Sequence, residues 1–426
     1  MPRSVTPRVV IFVLGCLDWG CSNEAPGSSA ADGGANSIAG ASAGGASTAM
    51  GGEAAVGGSR TTEDSTLAGS AVVSTIRHGA ELTQGMVGPV GLGVATDQLR
   101  KTAVGDERIS TWSTDGIPSW IPNSTYIYSN DPTNHGGVVE AGGMTIDGFA
   151  IPGGAWVAQF DDFGNESIII SGDNKGTTKP LPGIVFRGCR WRGQSTAPGY
   201  LNVYAGSHTN IWVLFSDAGG LGAADKEYNE VPFSTNDDTS NVLFYRNYIS
   251  YTTTGIQPGT VGPQIIENFV EHITYYYGEA GPPNESGPKH LNGISLNGGQ
   301  ENALILRNKV LLQSPDDAGR SVAQTDAIAL FQDGGSFPGI GTNVDGSTGY
   351  QILDNYVGGG GYCIYAGLNA GKSASTVKNL VLAGNRVTTQ WWPNGGSYGP
   401  LTAHPVWGSN GNVKRDNSFA ETGAAW

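Results

Sequence analysis

Charge is scarce in this sequence, and basic charge is scarcest. Only 14% of the residues are Asp, Glu, Lys or Arg, and 23 Lys and Arg stand against 37 Asp and Glu, a formal net charge of −14. Nucleic acid and anionic membrane surfaces both demand a basic face, so neither is expected as a partner. Cysteine is nearly absent too. Four in 426 residues cannot build a disulfide scaffold, and Cys189 and Cys363 lie so far apart in repeat register that buried free thiols are expected. The apolar run at residues 9–15 is too short to span a bilayer. Amphipathic stretches of helical period are missing as well, and Gly fills 67 positions. That leaves a turn-rich β architecture as the expected class.

What is present begins with an address. Residues 1–8 carry Arg3 and Arg8 and lead into the short apolar run, the layout of an export signal, so residues 1–21 read as a signal peptide. Val13-Leu14-Gly15-Cys16 resembles a bacterial lipobox, in which small residues before a Cys let the thiol be diacylated and become the mature N-terminus. Cys21, which follows Gly20 and runs directly into the next segment, is the alternative lipidation site. Residues 22–70 are almost wholly Gly, Ala, Ser and Thr, with scarcely a side chain able to offset the entropy of ordering. They read as a flexible tether. The expected location is therefore the outer membrane or cell surface as a lipoprotein, or the secreted fraction. A lipid is the expected membrane contact, and a monomer the expected assembly.

Beyond the tether one pattern recurs: an alternating apolar run, an Asn, and one more apolar residue. It reads Val242-Leu-Phe-Tyr-Arg-Asn247, Gln264-Ile-Ile-Glu-Asn268, Leu304-Ile-Leu-Arg-Asn308, Gln351-Ile-Leu-Asp-Asn355, Leu380-Val-Leu-Ala-Gly-Asn385 and Val413-Lys-Arg-Asp-Asn417. Ile184-Val-Phe-Arg-Gly-Cys189 is the same unit with Cys in the Asn place. A parallel coil explains the choice of residues. Each turn carries short strands joined by tight bends, Asn tolerates the left-handed backbone of a bend, and stacked Asn side chains can form an amide ladder. The spacing of about 20 to 50 residues suits turns of about twenty residues with loops inserted at one corner.

On these units the chain resembles the secreted bacterial right-handed parallel β-helix proteins that include pectate lyases and polygalacturonases. The resemblance runs over roughly residues 79–417. It rests also on the Gly-rich entry segment from Gly85 to Leu99 and on Pro288-Lys-His290-Leu-Asn292-Gly-Ile-Ser295, which is similar to a His-Ser-Asp-Gly-Ile-Gln strand with Asn292 in the Asp place. It implies an all-β right-handed parallel β-helix over residues 138–426, an N-terminal cap over residues 71–137 covering the open edge of the first coil, and a polysaccharide as the thing touched. The paired Asp, Gly-His-Gly and Arg-Ile-Lys segments of polygalacturonases are missing, which argues against that particular activity.

Aligning the coils on their Gly-Ile or Ala-Ile pairs stacks Thr254, Asn292, Asp326 and Tyr362 as an outward polar column. His290 and Gln324 flank it on one side, and Gln257, Ser295 and Tyr365 on the other. A glycoside hydrolase needs two carboxyl groups about 5 to 9.5 Å apart, a demand Asp326 could meet with Asp333 or Asp316. A lyase needs a base and a positive group to neutralise a uronate carboxyl; Lys289 and His290 beside Arg320 would supply them, with Ca²⁺ held by Asp316 and Asp317 if a cofactor is used at all. Sugar rings would rest on Tyr365 and on Trp391 and Trp392, which share a Gly/Pro-rich loop with Tyr398. The competing expectation is a non-catalytic adhesin or envelope structural protein that uses the coil as a rigid ladder.

Overall fold

The computed structural model describes residues 74–101, 124–128, 145–165, 167–171, 182–193, 201–204, 209–220, 232–235, 239–259, 262–273, 291–296, 302–312, 325–330, 349–366, 378–402 and 405–426. The expected signal, the tether and both candidate lipidation residues, Cys16 and Cys21, lie outside them. Within them the chain winds into a right-handed parallel β-helix of three long sheets. One turn gives the plan. Leu243–Tyr245 lies in sheet I, Tyr248–Thr252 in sheet II and Thr254–Pro258 in sheet III, and the next strand, Gln264–Ile266, pairs in parallel with the first. Sheets I and III have nine strands each and sheet II ten.

Alternation along each short strand turns one set of side chains inward, and parallel stacking lines them up. Phe186, Val213, Phe244, Ile265, Ile305, Ile352 and Leu382 form one such column from sheet I. Trp191, Ala218, Ile249, Val270, Val310 and Val357 come from sheet II, and Phe233, Ile256, Ile294, Ile328 and Ile364 from sheet III. All belong to one buried core. Burying each aliphatic side chain contributes about 1.5–3 kcal/mol, so the repeat of apolar residues stabilises every rung against its neighbours.

The recurring Asn residues stack where sheet I turns into sheet II. Each side-chain amide donates to the Oδ1 of the next, Asn247 to Asn268 at 2.9 Å, Asn268 to Asn308 at 3.0 Å, Asn308 to Asn355 at 3.0 Å, Asn355 to Asn385 at 2.9 Å and Asn385 to Asn417 at 3.0 Å. Each also donates to a backbone carbonyl of the rung before, and each Oδ1 accepts a backbone N–H. Ser216 and Cys189 continue the column, as the Cys-for-Asn unit anticipated. One detail differs from expectation. The left-handed residue of the bend is the one before Asn, namely Arg246, Glu267, Arg307, Asp354, Gly384 and Asp416, with φ of 51 to 68°. Asn is kept for its amide, because only a side chain that donates and accepts can satisfy the buried backbone groups at such a corner. The left-handed residues point outward instead, and buried Glu267 accepts from Arg246 at 2.8 Å and Arg307 at 3.0 Å on adjacent rungs.

Of the region expected to cap the first coil, residues 74–101 and 124–128 are described. Arg100–Lys101 and Ser124–Tyr128 add edge strands to sheets II and III. Residues 78–99 form a strap that climbs the outside of sheet II from late rungs to early ones. His78 Nε2 lies 3.0 Å from the Gly384 carbonyl, Gly79 N–H donates to Asp354 O, and Lys309 Nζ donates to Leu82 O. Gln84 then reaches Glu271, Gly88 N–H donates to Arg246 O, and Arg100 N–H donates to Phe160 O. Leu82 and Val87 bury themselves against Phe269. A side chain at position 79 would collide with the Asn308 backbone, so Gly is required for this close approach. Cys189 and Cys363 are buried free thiols.

Candidate functional site

Sheet III carries the polar column. Its register pairs Thr254 with Asn292, Asn292 with Asp326, and Asp326 with Tyr362, the stack that the strand alignment anticipated. Leu291 before Asn292 and Ala327 after Asp326 belong to the core, as do Ile294 and Ile328, so the two-residue alternation breaks inside these strands; opposite Leu291 and Ala327, Asn292 and Asp326 take the outer face. Ser295, Ala329 and Tyr365 form the companion column three residues on.

The column is outward yet closely covered, where an open groove was expected: Asn292 is 2% exposed, Ser295 3% and Asp326 5%. Asn292 Oδ1 accepts the Thr325 hydroxyl at 2.7 Å. Asp326 is less well served, since the Tyr362 backbone N–H reaches its Oδ1 only at 3.4 Å. Burial pushes its carboxyl up to about 8, weakly opposed by that N–H. Asp326 is therefore a proton-bearing acid at neutral pH. Burial and the Asp326 charge together push the neighbouring Cys363 thiol up, which keeps it an unreactive thiol.

No strand of sheet III contains Lys, Arg, His or Glu, and Asp326 is its one Asp. Below Asp326 the surface turns aromatic. The Tyr362 ring centroid lies 6.2 Å from that of Tyr365 and 5.6 Å from that of Tyr398, and Tyr398 is 72% exposed. A Cβ on Gly361 would stand 3.3 Å from the Tyr398 ring, so a bare backbone lets this ring lie close.

Of the residues singled out from sequence, the fold brings together Asn292, Ser295, Asp326 and Tyr365. Trp391 goes elsewhere: it packs over Gly358 of sheet II, where a Cβ would meet its ring at 2.9 Å. Trp392 is half-buried beside it, its indole Nε1 buried with no hydrogen-bond partner among the described residues. Lys289, His290, Arg320, Gln324, Asp333, Asp316 and Asp317 lie outside the described residues. Thr325, which fixes Asn292, was not singled out as a site residue; its sequence signal is its place in Gln324-Thr325-Asp326-Ala327-Ile328, which resembles the Asn-Thr-Asp-Gly-Ile strand of polygalacturonases. Among the described residues no group of three or more His, Cys, Asp or Glu is placed to hold a metal ion, and no helix is long and apolar enough to cross a membrane. Compared with protein-family models, curated proteins and solved structures, the chain has no match.

Proposed function

We propose that this chain is an exported, lipid-anchored β-helix of the pectate lyase and polygalacturonase kind. It engages an extracellular polysaccharide on the outer face of sheet III and cleaves it with Asp326 as proton donor. The observation that carries the reading is the buried place of Asp326, the one acid in the described strands of sheet III, whose carboxyl burial pushes up to about 8 next to a rung lined by tyrosines. A general acid for glycosidic cleavage must hold its proton at working pH, and burial supplies that condition here. Lys289, His290, Arg320, Gln324 and Asp333 keep the partner roles assigned from sequence, and a chelator tests Ca²⁺ at Asp316 and Asp317. The signal-like N-terminus, with Cys16 or Cys21 lipidated, supports the surface address.

The test is a panel of soluble polysaccharides incubated with the full-length protein and with Asp326→Asn, following new reducing ends and unsaturated uronic ends. The Asn variant should cut at least about 100-fold more slowly. The wild-type rate should fall as pH rises through about 8, where Asp326 loses its proton. Equal cutting by both proteins removes Asp326 from the mechanism. The near closure of the column, with Asn292 and Ser295 buried, favours a second reading, a non-catalytic adhesin or envelope structural protein. A polymer that binds without being cut by either protein selects it.

A further inference from the structure

We infer that the end of the coil at Val413–Arg415 and Ser418–Phe419 is a self-association surface held shut by the chain itself, and that the partner it fits is a second copy of this chain. Every rung is built to accept another, since its strands pair in parallel with the next and its inward side chains continue the core columns. Among the described residues no parallel strand follows Val413–Arg415 in sheet I or Ser418–Phe419 in sheet II. A last rung of this kind offers a row of open backbone N–H and C=O groups, a template for another chain. A second copy fits because the contact already repeated along the coil would simply continue.

Sheet I is closed by charge. Val413 N–H donates to Leu380 O, and Arg415 O accepts from Gly384 N–H, so both residues turn their backbone groups to the rung before. Alternation along the strand leaves Lys414 N–H and C=O facing away from the coil. The same Lys414 is in register with Leu382, the end of the inward column that runs from Phe186. An ammonium group therefore stands where the stack calls for an aliphatic side chain, 5.7 Å from the centre of the Trp426 ring and exposed. A further rung would have to bury that charge without a partner, and inward-pointing charge is a known way of blunting a sheet edge.

Sheet II is closed by the chain folding back. Ser418 and Ala420 N–H donate to Asn385 O and Val387 O on the rung before, so Phe419 carries the groups that face away. Both are taken: Phe419 N–H donates to Ala424 O, and Phe419 O accepts from Gly423 N–H. Ser418 also bridges Ala425 in antiparallel sense. The return depends on Gly423, whose φ of 70° suits Gly and strains other residues. It seats Trp426 against the core, which Leu401, Trp407 and Phe419 also cover.

The experiment is sedimentation velocity over a range of concentrations, in one buffer, on the full-length protein, Lys414→Leu, Lys414→Glu and a double variant of Lys414→Leu with Gly423→Val. Circular dichroism follows the fold of each. Wild type and Lys414→Glu, which keeps a charge at the inward position, should sediment alike and independently of concentration. Lys414→Leu should form larger species as concentration rises, and the double variant should do so at a concentration at least tenfold lower. Lys414→Leu that keeps its fold and sediments like the wild type overturns the assignment. So does association of the wild type or of Lys414→Glu as strong as that of Lys414→Leu, because the inward charge then guards nothing. Loss of the native spectrum in Lys414→Leu makes the lysine a support of the fold and overturns it too. Should the double variant alone unfold, the two single variants decide.

Discussion

The outer faces of sheets II and III are built on the same rungs and come out opposite in character. Sheet II is rich in charge, and the charge is consumed within the molecule. Asp162 pairs with Lys101 at 3.2 Å and with Arg190 at 2.5 Å, Arg192 pairs with Asp217, and Lys309 stands over the Phe269 and Tyr356 rings while bonding the strap at Leu82. The strap lies along this face and adds Gln84 to Tyr248 and Glu271. Sheet III has one acid, no base, and tyrosines left at its surface. A dense row of ionisable groups thus marks where the protein binds itself, and the proposed polysaccharide site lies on the face whose described strands carry almost no charge. Perturbed or clustered charge is only a probabilistic sign of a functional site, and here structural pairing accounts for most of it.

If the charge of sheet II serves the fold, breaking one pair there should cost most. Asp217→Ala leaves Arg192 largely buried without its carboxylate, and a loss of about 3 kcal/mol is expected in urea titration. A loss no larger than that of Ser295→Ala on sheet III would erase the contrast. A smaller and pH-dependent effect should come from the foot of the strap. His78, 6% exposed, accepts the Ala80 N–H at Nδ1 and lies 3.0 Å from Gly384 O at Nε2, so it is held as the neutral tautomer. Burial first, then Arg386, lowers it to about 4. Unfolded or detached, the ring takes a proton near its ordinary 6.5. Docking is then fully supported above about pH 6.5 and loses roughly 1–2 kcal/mol as pH falls towards 4, after allowance for solvent screening. Hydrogen exchange over residues 78–92 should speed up through that window, and His78→Gln should flatten the dependence. Equal acid sensitivity in both proteins would remove His78 as the cause.

Legibility in the sequence followed repetition. The Asn ladder and the stacking of residues 254, 292, 326 and 362 could be read because the same short unit recurs, and a register shared by many rungs is set by the core columns. The left-handed bend alone was placed one residue late, since the bend and the ladder position adjoin and both suit Asn. The strap was not legible. Its segment has no period of its own, and its partners lie far off, with His78 and Gly384 306 residues apart. The neighbours of Trp391 were hidden for a related reason: the slot it fills is the missing Cβ of Gly358. The covering of Asp326 was out of reach as well, because strand alternation says which way a side chain points and nothing about what lies over it.

The smallest expected effect is also the sharpest test of the comparison. Tyr398 touches Tyr362 at ring distance but leaves most of its surface in water. Surface substitutions away from buried features change stability by less than about 0.5 kcal/mol, so Tyr398→Ala should leave the urea midpoint almost where it was. A polysaccharide bound on the outer face of sheet III should, at saturating concentration, raise that midpoint in the wild type, because a ligand that binds only the folded state stabilises it. The same polymer should fail to raise it in Tyr398→Ala. A variant that is destabilised without polymer would make this ring part of the fold's own packing, and the outer face of sheet III would then be consumed internally just as sheet II is.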